Sequence, residues 1–245
     1  MRNIKLTIEY NGTNFSGWQR QKRRSYTIQQ VIEETLQKML HQEIKLIASG
    51  RTDSGVHAKA QTANFKTASH IPLERLQEGL NALLPKDIAV IGIAEASGDF
   101  HSRYCAKSKA YRYTILNRTH RSALLKDSAY FCRYPLDLKL MQNEADSILG
   151  KHDFSAFKAS GKEGKNPVKT VKKLKVSRKG DLVYVDIEAD GFLYNMVRNI
   201  AGTLIDIGRG KLGSGSLKKI LDSKDRRKAG HTAPACGLCL LKVKY

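Results

Sequence analysis

Residues 49–58, with the sequence SGRTDSGVHA, bring the groups best suited to chemistry into one short segment. Arg51 and Asp53 are two positions apart, so their side chains point the same way in extended backbone. A guanidinium beside a carboxylate keeps the acid ionised. Gly50 and Gly55 bracket the pair, which indicates a loop between two strands, the usual setting of reactive groups. A simple turn, in which Asp53 bonds its own backbone, fits the local pattern as well.

Hydrophobic spacing predicts the elements that must hold this loop. Ile4, Leu6 and Ile8 alternate as they do in a strand. Thr27 and Gln30 form a capping box ahead of a helix. The same patterns predict short strands at residues 44–48, 60–65 and 88–94, and a helix at residues 73–83. The order strand, helix, strand, strand, helix, strand is typical of a ferredoxin-like unit.

The second half of the chain gives a similar mixture of elements. Strands are predicted at residues 111–116, 129–133, 168–176, 182–187 and 238–243, and helices at residues 138–149 and 193–207. The segment around Gly180 is expected to close a hairpin between two of those strands. We therefore expect an α+β protein with an N-terminal ferredoxin-like domain at residues 1–99 and a second α+β domain at residues 100–245.

Charge is the strongest compositional signal. The chain has 43 lysines and arginines against 23 acidic residues, a net charge of +20, and an isoelectric point near 9.9. A domain this basic repels itself, which favours a polyanionic partner, although a solvated basic surface is the simpler alternative. No apolar run approaches the roughly 20 residues of a membrane helix. With no signal-peptide pattern at the N-terminus, a cytoplasmic location is expected.

The sequence predicts neither a metal site nor a cofactor. Cys236 and Cys239 form the one close cysteine pair, and they lie in an apolar run that fits a buried strand better than a zinc knuckle. The remaining two cysteines are distant in sequence. Neither a Walker loop nor a dinucleotide fingerprint is present, so no nucleotide cofactor is expected.

Residues 50–58 closely resemble the catalytic motif of the TruA-type tRNA pseudouridine synthases. Further blocks that resemble the same family follow in the family's order and span nearly the whole chain: residues 10–21, 81–88, 100–104 with 111–113, 152–157, 191–198 and 233–238. Mild departures from the family pattern occur at Asn11, Ser54, Ala60, Ser102 and Lys109. None of these removes a catalytic group, although they could alter which uridines are accepted.

The resemblance implies a fold, a reaction and a substrate. The fold would be two ferredoxin-like-derived halves sharing a mixed, mostly antiparallel sheet flanked by helices, with the second half completing the active-site cleft. The enzyme would be an isomerase that converts uridine to pseudouridine in tRNA. Its targets would lie on the 3′ side of the anticodon stem-loop, at tRNA positions 38 to 40. A homodimer is also implied.

The resemblance assigns roles residue by residue. Asp53 would be the catalytic carboxylate, and it could attack C1′ or the base, or remove the 2′ proton to give a glycal. Arg51 would hold the flipped-out nucleotide, since the target base must leave the stack to be reached. Tyr111 would stack on the base, and Arg198 would pair with the catalytic aspartate. The roles of Trp18 and His57, in supporting the loop or touching RNA, stay open.

Basic residues outside these positions are candidates for contacts with the tRNA backbone, which set affinity more than specificity. They are Arg20, Lys22, Arg23, Arg24, Lys107, Lys109, Lys162 and Lys165. The main alternative to an enzyme is a non-catalytic basic RNA-binding module, such as a tRNA chaperone. That alternative explains the charge but gives Arg51, Asp53 and Arg198 no reason to occur together. A metal-dependent nuclease or a glycosidase would require further placed carboxylates.

Overall fold

The computed structural model describes residues 1–21, 26–159 and 166–245. These residues form two compact units, Met1–Lys107 together with Leu240–Tyr245 (unit 1) and Ser108–Cys239 (unit 2). The sequence predicts a boundary after residue 99. In the structure, residues 97–107 stay with unit 1, because side chains of β1, β3 and the C-terminus bind the backbone of that segment.

The first six elements belong to unit 1. They are β1 (Arg2–Tyr10), α1 (Ile28–Leu40), β2 (Ile47–Ala48), β3 (His57–Thr67), α2 (Leu73–Leu83) and β4 (Ile88–Ala96). Those that follow are β5 (Ser108–Asn117), β6 (Tyr130–Cys132), α3 (Leu138–Asp146), β7 (Gly150–Asp153), β8 (Val168–Lys179), β9 (Leu182–Ala189), α4 (Met196–Gly208), α5 (Ser216–Ser223) and β10 (Leu238–Lys244). Most of β10 belongs to unit 1.

Unit 1 has its elements in the order strand, helix, strand, strand, helix, strand, as its sequence indicates. Its strands are ordered β4-β1-β3, and β2 and β10 both pair with β3. The pairings of β1 with β3 and β4, and of β2 with β3, are antiparallel. Ile4, Leu6 and Ile8 are fully buried on one face of β1, as the alternation indicates. The sheet therefore fixes β3 at the centre of the unit, directly after the loop that carries Asp53.

The N-terminus of α1 follows from its cap. The Thr27 hydroxyl oxygen accepts a hydrogen bond of 3.4 Å from the Gln30 amide, as the capping pattern predicts. The side chain of Gln30 does not complete the box and donates to Glu34 instead. Ile28, Ile32 and Leu36 lie fully buried along one face of the helix.

Unit 2 has its strands in the order β5-β9-β8-β7, all antiparallel, and β6 pairs in parallel with β5. The predicted hairpin joins β8 to β9, and Gly180 closes it with a φ of 58°, which favours glycine. Asp137 caps α3 by accepting a 2.9 Å bond from the Leu140 amide. Helices α3, α4 and α5 all belong to this unit.

The α+β class and the mostly antiparallel sheet flanked by helices are confirmed. Two elements were not predicted, β7 and α5. Strand β7 is only four residues long and has no apolar alternation, while α5 is eight residues long and begins after Gly215 in a left-handed conformation. Within the described ranges, no helix is both long enough and apolar enough to cross a membrane.

Candidate active site

The loop that carries Asp53 is pinned to β3 on one side. The Ser49 hydroxyl, which is fully buried, donates to the Gln61 side-chain oxygen at 2.6 Å. The Gln61 amide then donates to the Gly50 carbonyl at 2.9 Å. The Ser49 amide also donates to the Thr62 carbonyl at 2.8 Å. Because these groups are buried and paired, the start of the loop has little freedom to move.

A second segment, between β1 and α1, holds the loop from the other side. The Trp18 amide donates to the Thr52 carbonyl at 3.1 Å, and the hydroxyls of Tyr10 and Thr52 share a bond of 2.8 Å. The Ser54 hydroxyl donates to the Phe15 carbonyl at 3.0 Å. Residues on both sides of Asp53 are therefore tied to the segment at residues 10–18.

Two glycines make this close approach of backbone to backbone possible. Gly17 has a φ of 87°, and a Cβ there would lie 2.8 Å from the Thr52 carbonyl oxygen. A Cβ on Gly12 would lie 2.0 Å from the Val56 carbonyl oxygen. Only a residue without a side chain fits at either position, since real Cβ atoms essentially never come within 3.0 Å of such atoms.

The structure favours supporting roles for Trp18 and His57. Only 1% of Trp18 is exposed, and its ring packs 5.9 Å from that of Tyr10. His57 Nδ1 accepts a 3.1 Å hydrogen bond from the Gly12 amide. A neutral imidazole bonded in this way carries its proton on Nε2. Both residues thus stabilise the loop from its flanks.

Asp53 lies half-buried at the tip of the loop, and its carbonyl accepts a 3.2 Å bond from the Val56 amide. Gly55, with a φ of 78°, completes this turn. Arg51 is exposed, and its Nε donates to the Gln19 side-chain oxygen at 2.9 Å. The structure therefore brings Arg51 and Asp53 together in one rigidly held loop of unit 1.

Behind Arg51 lies a polar relay that the sequence did not predict. Gln19 donates to Gln29 at 2.7 Å, and Gln29 donates to Glu33 at 2.9 Å. Gln29 and Glu33 are buried on α1, and Glu33 also accepts the Leu46 amide at 3.0 Å. The available signal was a pair of polar residues four positions apart beside the apolar face of a helix.

Tyr111 and Arg198 belong to unit 2. Tyr111 lies on β5 opposite Ile187 and is 7% exposed. Its ring makes an edge contact with Phe192, with centroids 5.1 Å apart. Aromatic rings prefer such a T-shaped arrangement, which fixes the plane of the tyrosine ring.

Tyr113, two residues further along β5, is fully buried. Its hydroxyl donates to the Pro234 carbonyl at 2.9 Å. Burial raises the pKa of Tyr113, and the positive charge of Arg198 opposes that shift only partly. The hydroxyl therefore stays protonated and acts as a structural donor.

Arg198 lies in the first turn of α4, where the sequence predicts it. Its Nε donates to the Ala233 carbonyl at 2.7 Å, and its Nη1 donates to Asn195 Oδ1 at 3.1 Å. The Ala233 amide donates back to the Arg198 carbonyl at 3.1 Å. The guanidinium is thus half-buried and oriented by two acceptors, which offset the unfavourable position of a cation at a helix N-terminus.

Of the eight basic residues predicted to bind RNA, three lie in the part of the chain that the structure describes. Arg20 pairs with Glu33 at 3.3 Å while about half of its side chain stays exposed. Lys107 is exposed, and Lys109 is half-buried on β5. The other five, Lys22, Arg23, Arg24, Lys162 and Lys165, lie outside the described residues.

Among the residues that the structure describes, no cluster of three or more His, Cys, Asp or Glu side chains could hold a metal ion. The four cysteines are free thiols. Cys239 is the second residue of β10, as the sequence predicts, whereas Cys236 lies before the strand in a 3-10 turn at Ala235–Gly237. Both thiols are half-buried.

Comparison with known proteins gives one consistent result. The family model described as tRNA pseudouridine synthase matches residues 6–105 and 145–245. The chain is 48% identical to tRNA pseudouridine synthase A 2 of Clostridium perfringens (strain 13 / Type A) over 245 residues, covering 100% of both. It is 46% identical to tRNA pseudouridine synthase A of Thermoanaerobacter sp. (strain X514), also over 100% of both.

One solved structure also overlaps this chain, the "Crystal Structure of a Cbf5-Nop10-Gar1 Complex". The match covers 97% of this chain and 58% of that one, with 12% sequence identity and a TM-score of 0.37. A likeness this weak supports no conclusion about fold or function.

Proposed function

On the premise that the chain belongs to the tRNA pseudouridine synthase family, we propose that Asp53 is the catalytic carboxylate of this isomerase and that its targets are uridines of the anticodon stem-loop. The family membership makes the protein a tRNA pseudouridine synthase. The finer statements, about the residue and the target, are our proposal. The assignment of Asp53 is carried by the rigid mounting of the loop around it, and the target is carried by the family resemblance alone.

Isomerisation breaks the N1–C1′ bond of uridine and joins C5 to C1′, with no gain or loss of electrons. The chemistry therefore needs a positioned carboxylate more than it needs a cofactor. Asp53 lies at the tip of a turn tied to β3 by Gln61 and to residues 10–18 by Thr52. A carboxylate held in this way meets the substrate without reorganising, which is how a protein lowers a barrier by positioning.

Three further residues are proposed to bind the target nucleotide. Arg51 presents an exposed guanidinium whose orientation is set by Gln19, which suits a phosphate or a flipped base. Tyr111 offers a ring held in a fixed plane. Arg198, oriented by Asn195 and Ala233, supplies a fixed positive charge that stabilises an anionic partner.

The family resemblance adds two expectations to this proposal. The target uridines would lie at tRNA positions 38 to 40, on the 3′ side of the anticodon arm. The enzyme would act as a homodimer. A cytoplasmic location stays a prediction from the sequence.

The first experiment incubates the purified protein with an unmodified tRNA transcript in EDTA and maps pseudouridine by carbodiimide primer extension. Asp53→Asn, which keeps the shape of the side chain, should lower turnover by at least about 100-fold and leave tRNA affinity within a few-fold. Asp87→Asn is the matched control, because it removes the same charge from another half-buried aspartate of unit 1. It should keep full activity.

Substantial turnover by Asp53→Asn would remove Asp53 from the catalytic role. Modification outside positions 38 to 40 would leave the catalytic assignment intact and overturn the proposed target. Binding of tRNA by the native protein without any pseudouridine would instead favour the RNA-binding module.

A further inference from the structure

The segment between β4 and β5, at residues 97–107 of unit 1, presents an unusually exposed aromatic side chain. Tyr104 is 75% exposed, more than any other tyrosine in the described ranges. Large aromatic surfaces are normally buried, since each carries a large apolar area. An exposed ring at this position is therefore a candidate contact surface.

The backbone beneath Tyr104 is fixed by buried contacts. Ser102 is fully buried, and both its amide and its hydroxyl donate to Asn64 Oδ1, at 2.9 and 2.7 Å. The Ser102 carbonyl accepts a 2.8 Å bond from the Tyr245 hydroxyl. The Phe100 carbonyl accepts a 2.9 Å bond from the Asn3 side chain. The segment is thus tied to β1, β3 and the C-terminus.

His101 then orients the ring itself. Its Nδ1 accepts from the amides of Arg103 and Tyr104, at 3.2 and 3.3 Å. The imidazole stacks on the Tyr104 ring with centroids 4.2 Å apart and an angle of 29° between the planes. The guanidinium carbon of Arg103 lies 5.5 Å from the Tyr104 centroid. An ordered aromatic ring that is 75% exposed, with a cation over it at 5.5 Å, is therefore built before any partner arrives.

Such a pair matches the two parts of a nucleotide. An aromatic ring stacks on any unpaired base, and an adjacent arginine binds phosphate. A net charge of +20 attracts RNA to the protein, and Arg103 places a positive charge at this ring. An acidic protein segment would satisfy the arginine but would leave the ring without a matching flat partner.

The surface lies away from the catalytic loop. Ser102 is bonded to Asn64, which is about 23 Å along β3 from His57, at roughly 3.3 Å per residue. That distance is longer than a single nucleotide spans. A base bound here therefore belongs to a different part of the RNA from the uridine at Asp53.

We propose that Tyr104, with His101 and Arg103, forms a stacking platform for an unpaired tRNA base distant from the isomerised uridine. The identity of the partner as tRNA rests on the proposed function. The platform anchors the RNA and takes no part in the chemistry. Its loss is therefore expected to weaken binding and to leave the rate at saturating tRNA unchanged.

The test compares Tyr104→Ala with Tyr104→Phe in filter binding of a full-length tRNA transcript. Tyr104→Ala should raise Kd by about 5- to 100-fold, the range of one lost base–aromatic stack. Tyr104→Phe should stay within about twofold, because the phenyl ring keeps the stacking face. Both variants should melt at the native temperature, since the side chain is mostly exposed.

Tyr134→Ala is the matched control. Tyr134 is 53% exposed and also follows an arginine, with Arg133 5.7 Å from its ring, but it belongs to unit 2. It should bind tRNA like the native protein. An equal loss of affinity in Tyr134→Ala and Tyr104→Ala would mean that exposed aromatic surface in general contributes, and it would overturn the platform.

Photo-cross-linking identifies the occupant. With a benzoylphenylalanine in place of Tyr104, irradiation should link the protein to an unpaired nucleotide other than the modified uridine. Cross-links confined to helical nucleotides, or native affinity in Tyr104→Ala, would overturn the proposal. Failure of the proposed function gives a different pattern, in which the native protein forms no pseudouridine yet Tyr104→Ala still weakens tRNA binding.

Discussion

Gly17 lies directly against the peptide groups on both sides of Asp53. Its φ of 87° suits glycine, and a Cβ would lie 2.8 Å from the Thr52 carbonyl oxygen and 3.1 Å from the Asp53 carbonyl carbon. Any side chain there must displace the peptide that carries the carboxylate. The geometry of Asp53 thus depends on a residue that takes no part in the chemistry.

Gly17→Ala should therefore lower kcat by at least about 10-fold and destabilise the fold by about 1–3 kcal/mol. Single-turnover kinetics and urea unfolding measure the two effects. Gly98→Ala is the control, since a Cβ at Gly98 meets nothing within 4 Å. A native kcat in Gly17→Ala would show that the loop tolerates displacement and that its close contact with Gly17 does not position Asp53.

Tyr113 is a buried polar residue whose hydroxyl is held by one hydrogen bond. Its hydroxyl donates to the Pro234 carbonyl, and a Cβ on Gly237 would lie 2.7 Å from its ring. Burial raises the pKa of the hydroxyl, so the neutral donor persists throughout the working pH range. The contact thereby fixes the segment that precedes β10.

At the scale of elements, α1 acts on the candidate active site through its polar edge. Gln29 accepts from Gln19 and from the Arg20 amide, and it donates to Glu33 and to the Leu46 carbonyl. The helix thereby sets the orientation of Gln19, which in turn holds Arg51. One buried amide thus connects the helix, the segment before it and the catalytic loop.

Gln29→Ala should lower kcat/KM by about 10- to 100-fold, because Arg51 loses its fixed orientation. Gln30→Ala is the control, because the adjacent Gln30 is only half-buried and its side chain donates to Glu34, outside the relay; it should behave like the native enzyme. Steady-state kinetics on a tRNA transcript measure the change. Adding Gln29→Ala to Arg51→Gln should produce no further loss, whereas additive losses would contradict the relay.

At the scale of the whole molecule, charge governs the encounter with RNA. A net charge of +20 favours fast, salt-dependent association with a polyanion. Each lysine or arginine that neutralises a phosphate makes the association constant fall more steeply with salt. The slope of its logarithm against the logarithm of salt concentration becomes steeper by about one. Replacing a basic residue therefore changes the salt dependence of binding only if that residue contacts RNA phosphate.

Lys107→Gln should reduce that slope by about one and leave kcat unchanged. Lys107 is exposed, and its backbone amide, which donates to Lys244, is kept in the variant. Lys218→Gln is the control, because the Lys218 ammonium lies 2.5 Å from Asp222 on α5. Filter binding between low and physiological salt gives the slope, and an unchanged slope in Lys107→Gln would exclude this residue from the RNA contact.

The sequence by itself determined the local elements and the family. Three local features are visible in the sequence because they involve residues close in the chain. They are the alternation in β1, the threonine cap of α1 and the glycine that closes the β8–β9 hairpin. The block around Asp53 indicated the family, and the comparisons confirm it. The assignment of Asp53 itself stays a prediction.

The tertiary structure alone decided how those elements support the site. The Gln19–Gln29–Glu33 relay and the Ser102–Asn64 contact join polar side chains from distant segments. Such hydrogen bonds follow no period, because each partner is chosen by where the chain returns in space. The short elements β7 and α5 were missed for a related reason: their few residues are stabilised mainly by packing against neighbours, and local propensity contributes little.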